Sequence, residues 1–149
     1  MQHNRLKLSA HILQLSVSND FEEACGEWKF VGAEILDKSC CPCGQTIKER
    51  CYLENKLNGN TTHVGNVCVN KFMGMDTSNL FAGLKRLLDN PDGNANQAVI
   101  DYAKDRGLIY SSEIKFLTDT KNKRKLSQAQ MGWKRKINWR IINDVRVKE

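Results

Sequence analysis

No apolar run in this chain of 149 residues approaches the ~20 residues that a helix needs to cross a bilayer. The N-terminal stretch MQHNRLKLSAHILQLSVSND is broken by polar residues and lacks the apolar core of a signal peptide. Internal repeats and low-complexity tracts are absent. So are a H-E-x-x-H or H-x-E arrangement, a phosphate-cradling glycine-rich loop, a Cys/His nucleophile pair and a specific pair of carboxylates. These absences speak against a membrane protein and leave no motif for an enzyme. The expected compartment is a reducing cytoplasm, where clustered cysteines bind metal more often than they form disulfides.

What the chain does have is concentrated. Five of its six cysteines and one of its three histidines lie in SCCPCGQTIKERCYLENKLNGNTTHVGNVCVNKF, Ser39 to Phe72. Zinc needs four thiolate or imidazole donors near a tetrahedron, and two of them normally share a tight knuckle. Cys40-Cys41-Pro42-Cys43-Gly44 is such a knuckle. Cys40 with Cys43 gives C-x-x-C spacing, and Cys41 with Cys43 is the rival pair. Asn58-Gly59 is a strong hairpin signal. As a two-residue turn it sets Cys51 opposite Asn66, Cys68 opposite Glu49 and His63 opposite Glu54. Cys51 and Cys68 then share one face of the ribbon and His63 takes the other. The expected zinc ligands are Cys40 or Cys41, Cys43, Cys51 and Cys68, with His63 in reserve. A structural site is expected, because a catalytic zinc needs an open position and a nearby acid or base. Glu49 and Glu54 are available but stand in no catalytic motif.

The remainder reads as helices. Leu6, Ala10, Leu13 and Val17 form one helical stripe, with His11 beside it. Asp20 and Glu23 suit a capping box before Phe21, Ala24, Cys25 and Trp28. Cys25 is read as core, not as a ligand. Val31, Ala33 and Ile35 predict a strand leading to the metal site. Further helices are expected from Asp76-Thr77-Ser78 to Asn90, over about 95–106, and after Ser111 or Ser112, with a polar linker from Thr118 to Lys125. The last helix begins at Ser127 and carries Trp133, Ile137, Ile141 and Val145.

Knuckle, hairpin, then a ligand at a helix start is the order of a treble-clef zinc finger. A full treble clef has a second ligand one turn into that helix, where this chain has Lys71. The expected fold is therefore α+β: a zinc-stapled, treble-clef-like hairpin finger with N-terminal helices and a C-terminal helical body. The expected divisions are a lead-in over 1–38, the finger over 39–75, and a helical body over 76–149.

The stretch CPCGQTI–CYLENKLNGN–HVGNVCVNKF resembles a pattern of small zinc-finger proteins of bacteriophages, large DNA viruses and some bacteria. That pattern is C-x-C-G-x-x-I, a strand ending in N-K-x-x-G-N, then V-G-x-x-C-[VI]-x-K-F. It covers about residues 38–74 and falls on Cys41, Cys43, Gly44, Asn55, Gly65, Cys68 and Phe72. GEWKFVGAEI and LSQAQMGW are similar to its flanking segments. The resemblance implies a zinc fold and a viral or mobile-element setting, hence host cytoplasm, and its spacing favours Cys41 over Cys40. It implies no defined activity.

Charge is uneven. Residues 121–149 carry ten Lys/Arg, including Arg146 and Lys148, against Asp144 and Glu149, whereas residues 1–120 carry thirteen basic and fifteen acidic side chains. Phosphate contacts are expected from Lys121, Lys123, Arg124, Lys125, Lys134, Arg135, Lys136 and Arg140. Trp133 and Trp139 are candidates for stacking on single-stranded bases, although helical spacing suits Trp133 to a core. The expected function is a non-enzymatic zinc protein that binds DNA or RNA, or a complex that handles nucleic acid. The alternative is an interaction module that binds and modulates a host enzyme, with the tryptophan and arginine side chains as anchors. A membrane partner is not expected.

Overall fold

The computed structural model describes residues 2–145, with side chains from Asn4 onward. Arg146, Lys148 and Glu149 lie outside the described residues. Among those described are seven helices and one three-stranded antiparallel sheet, an α+β fold. The chain forms two compact units, one up to Thr77 and one from Ser78 onward.

The first unit is built on the sheet. Its strands are β1 (Trp28–Cys40), β2 (Thr46–Asn55) and β3 (Thr61–Gly65), in the order β1-β2-β3. Alternate β2 residues Cys51, Leu53 and Asn55 are buried, and Val64 of β3 joins them, as one-sided burial of a pleated strand requires. Helix α1 (Gln2–Leu15) contributes Leu8 and Ile12, both fully buried. The expected stripe is corrected here: Leu6 is 68% exposed and Val17 61% exposed. His11 reaches β3, its Nε2 lying 2.6 Å from Thr62 Oγ1.

Short helix α2 (Phe21–Cys25) starts as its sequence predicts, with Asp20 accepting from the Glu23 N–H at 3.0 Å. The reciprocal half of the capping box is missing, because the Glu23 carboxylate accepts from the Ser18 hydroxyl instead. Just beyond, buried Glu27 accepts from the Val17 and Ser18 N–H groups and from Asn55 Nδ2. The Asn55 amide is the largest influence holding its carboxyl below the usual range.

The hairpin turn differs from expectation. Cys51 pairs with Val64, Tyr52 with His63 and Glu54 with Thr61. Residues 56–59 form a four-residue loop in place of a two-residue Asn58-Gly59 turn. Asn55 is the cause: its Oδ1 accepts from the Leu57 and Asn58 N–H groups, and its carbonyl accepts from Gly59. A type I′ turn would need positive φ at Asn58, and no described non-glycine residue has it. The register moves by two residues, which preserves the faces. Cys68 is not on the strand opposite Glu49, because β3 ends at Gly65 and α3 (Asn66–Lys71) carries it.

The second unit is helical: α4 (Ser78–Asp89), α5 (Gln97–Asp105), α6 (Ser111–Thr120) and α7 (Gln128–Val145). Its core contains Phe81, Leu84, Leu87, Val99, Ile100, Leu117, Ile137 and Ile141. Asn96 caps α5, and Ser127 and Gln130 exchange bonds to start α7. The cap residue of α6 is Tyr110, one before the expected serines, with its N–H donating to Glu113. The same helix runs through Thr118 and Thr120, whose hydroxyls donate to carbonyls one turn back, so the expected linker begins later.

Candidate metal centre

Cys41, Cys43 and Cys68 are buried, and their sulfurs lie within 4.8 Å of one another. Two come from the knuckle and one from α3. The knuckle is closed by the Gly44 N–H donating to the Cys41 carbonyl at 2.8 Å and the Cys41 N–H donating to Gln45 at 2.9 Å. Gly44 adopts φ +98°, a conformation that side-chain-bearing residues rarely take. Gly65 directs its N–H to the Cys41 sulfur at 3.3 Å. A Cβ there would stand 2.8 Å from Ile47 Cγ2, so a side chain at this position would force the Ile47 side chain to move.

The sulfurs are electrostatically unequal. Cys41 is lowered, first by the Cys68 thiol and then by the Cys43 and Gly65 N–H groups, against the effect of burial. Cys68 is pushed up, first because it is the donor to that thiolate and then by burial. Burial raises Cys51 to about 12.

A tetrahedral zinc with sulfurs at ~2.3 Å sets them about 3.8 Å apart. Three buried sulfurs already within 4.8 Å fit such an ion with small adjustment. The donor set is all sulfur, which suits a thiophilic metal. The three cysteines can hold a metal ion.

The other candidates lie elsewhere. Cys40 is exposed at the end of β1, paired with Thr46, and its carbonyl lies 3.0 Å from His63 Nε2. His63 also meets Tyr52 edge-on. Cys51 is fully buried on β2, outside the cluster. Cys25 is half-buried on α2, its thiol 3.8 Å from the Phe72 carbonyl, and burial raises its pKa. A cavity of about 310 Å³ adjoins Cys43 and Cys68 and is lined also by Lys48, Glu49 and Asn66. Sequence reading offered no signal for it.

The expected nucleic-acid contacts divide into two groups. Lys134 is buried and donates to Asn94 at 2.8 Å. Arg135 forms a two-armed pair with Asp92, and Arg140 pairs with buried Glu113. Lys121 donates to Gln97. By contrast, Lys123, Arg124, Lys125 and Lys136 are exposed and make no ion pair among the described residues. Trp133 is 38% exposed and stacks on Phe116 at 4.2 Å; Trp139 is 43% exposed. Lys136 and Trp139 lie on the outer side of α7, and Trp133 lies at its edge against Phe116.

The fold and the cluster define a class: an α+β protein with a three-cysteine centre between a knuckle and a hairpin-borne helix. Compared with protein-family models, curated proteins and solved structures, the chain matches none.

Proposed function

We propose that this chain is a non-enzymatic zinc protein that binds nucleic acid, single-stranded in preference. Zinc at Cys41, Cys43 and Cys68 holds the knuckle, the hairpin and α3 together, because binding such a metal is coupled to folding. The helical unit supplies the contact surface. The carrying observation is the outer side of α7, where partly exposed Trp139 lies beside Lys136, with partly exposed Trp133 at the edge of that side. Lys123, Arg124 and Lys125 add exposed positive charge ahead of the same helix. Cations contact phosphates, and a half-exposed indole offers a stacking face to an unpaired base.

Binding of a generic single strand and a generic duplex across a salt series tests this reading. Expected are tighter binding to the single strand, a steep loss with added salt, and weakening when Lys123, Arg124, Lys125 and Lys136 become Glu. Trp139→Ala should lower affinity for the single strand with little change in salt slope. Charge reversal at Lys134, Arg135 or Arg140 is a poor probe, because it breaks internal bonds. Absence of binding at low salt would defeat the nucleic-acid reading and turn attention to a protein partner.

A further inference from the structure

A metal on Cys41, Cys43 and Cys68 has three protein donors, one short of a closed structural zinc site. The nearby candidates are committed elsewhere. Cys51, fully buried on β2, lies outside the cluster, and the His63 ring lies against the Cys40 carbonyl and Tyr52. Cys40 is exposed at the strand end. Among the described residues no fourth cysteine, histidine or carboxylate joins the cluster. The cavity of about 310 Å³ meets two of the three cysteines, and it lies at the small end of the ~300–1,000 Å³ range of ligand pockets.

We infer that the centre is open, and that its fourth position faces this cavity and takes a small thiolate from solution. This rests on the metal reading proposed above. Three sulfur donors make the ion a partner for a fourth soft donor. Lys48, on the cavity wall and without an ion-pair partner among the described residues, offsets the added negative charge. A closed four-cysteine site would have no room for an outside ligand; an open three-cysteine site does.

Cobalt(II) is the probe, since its visible spectrum reports both the number of thiolates and the geometry. The full chain is loaded anaerobically in thiol-free buffer and titrated with 2-mercaptoethanol. The expected result is a saturable rise of about one third in the sulfur-to-cobalt charge-transfer band, from three thiolates to four. Cys51→Ala and Glu49→Gln should leave the starting spectrum unchanged, and Cys51→Ala should leave this response unchanged as well. Cys43→Ser should lower the starting band. A wild-type spectrum indifferent to mercaptoethanol would overturn the inference without the aid of any variant. So would a band reduced in Cys51→Ala, or shifted in Glu49→Gln, since either would name an internal fourth ligand. Failure of the wild type to develop thiolate bands at all would remove the metal reading itself.

Discussion

Cys40 and Cys41 are adjacent, chemically identical and differently placed. One ends a strand in solvent; the other turns inward and receives the Gly65 N–H. Spacing alone left both in play, because the direction of a side chain at a strand end depends on where the strand stops. The C-x-C-G spacing of the resembled pattern favoured Cys41, and it is Cys41 that lies with Cys43 and Cys68 in the cluster. Cys51 was harder to read. A cysteine on the inward side of a hairpin fits a ligand or a core residue equally, and only the placement of α3 sets which cysteines meet Cys68. Metal analysis of single variants should show loss of the ion in Cys41→Ser, Cys43→Ser and Cys68→Ser and its retention in Cys25→Ser and Cys40→Ser. Proton release gives a second check. The Cys68 thiol lowers Cys41 and is itself raised as the donor. Each thiol that binds the ion gives up its proton, so apparent affinity should fall as pH is lowered. Calorimetry in buffers of different ionisation heat measures the release.

Elements with distinct boundary chemistry were legible. Ser127 and Gln130 start α7, Asn90-Pro91 follows α4, and Gly107 follows α5. Helix α1 was legible as a helix but not in its orientation. Leu6, Leu8, Ala10, Ile12, Leu13 and Leu15 surround much of its circumference, so the packing surface, which sequence does not display, selects Leu8 and Ile12. The hairpin turn was decided by one asparagine four residues before the expected glycine. Helices α6 and α7 are joined by a pair that spacing could not reveal: Arg140 bonds both Glu113 oxygens and the Leu108 carbonyl. Arg140→Ala should destabilise the helical unit by about 1–3 kcal/mol, the cost of an unsatisfied buried group. The larger loss of a fully buried pair does not apply, because the Arg140 side chain is 40% exposed. Glu113 is held below the usual carboxylate range, chiefly by Arg140. Its stabilisation is present above the unfolded value, ~4.3, and is lost as pH falls through the folded value. Thermal melts should therefore show the variant's deficit at pH 7 and a smaller one at strongly acid pH.

At the scale of the whole molecule, the α+β class and the cluster of cysteines beside a hairpin followed from local signals. The distribution of charge did not. Ten basic residues near one end suggested a set of phosphate contacts, yet Lys134, Arg135 and Arg140 are engaged within the helical unit. Their partners, Asn94, Asp92 and Glu113, lie 27 to 43 residues away, beyond the reach of a pattern read along the chain. Even so, residues 78–148 carry fifteen basic side chains against seven acidic ones. That division between engaged and outward cations separates the kinetics of capture from those of release. In the proposed function, encounter with a polyanion is governed by the summed field of the unit, to which exposed Lys104 and Lys115 contribute. Residence is governed by the few outward groups that touch it. Lys104→Glu with Lys115→Glu should therefore slow association at low salt and leave dissociation nearly unchanged, whereas Lys136→Glu with Trp139→Ala should shorten the bound lifetime; stopped-flow mixing resolves the two.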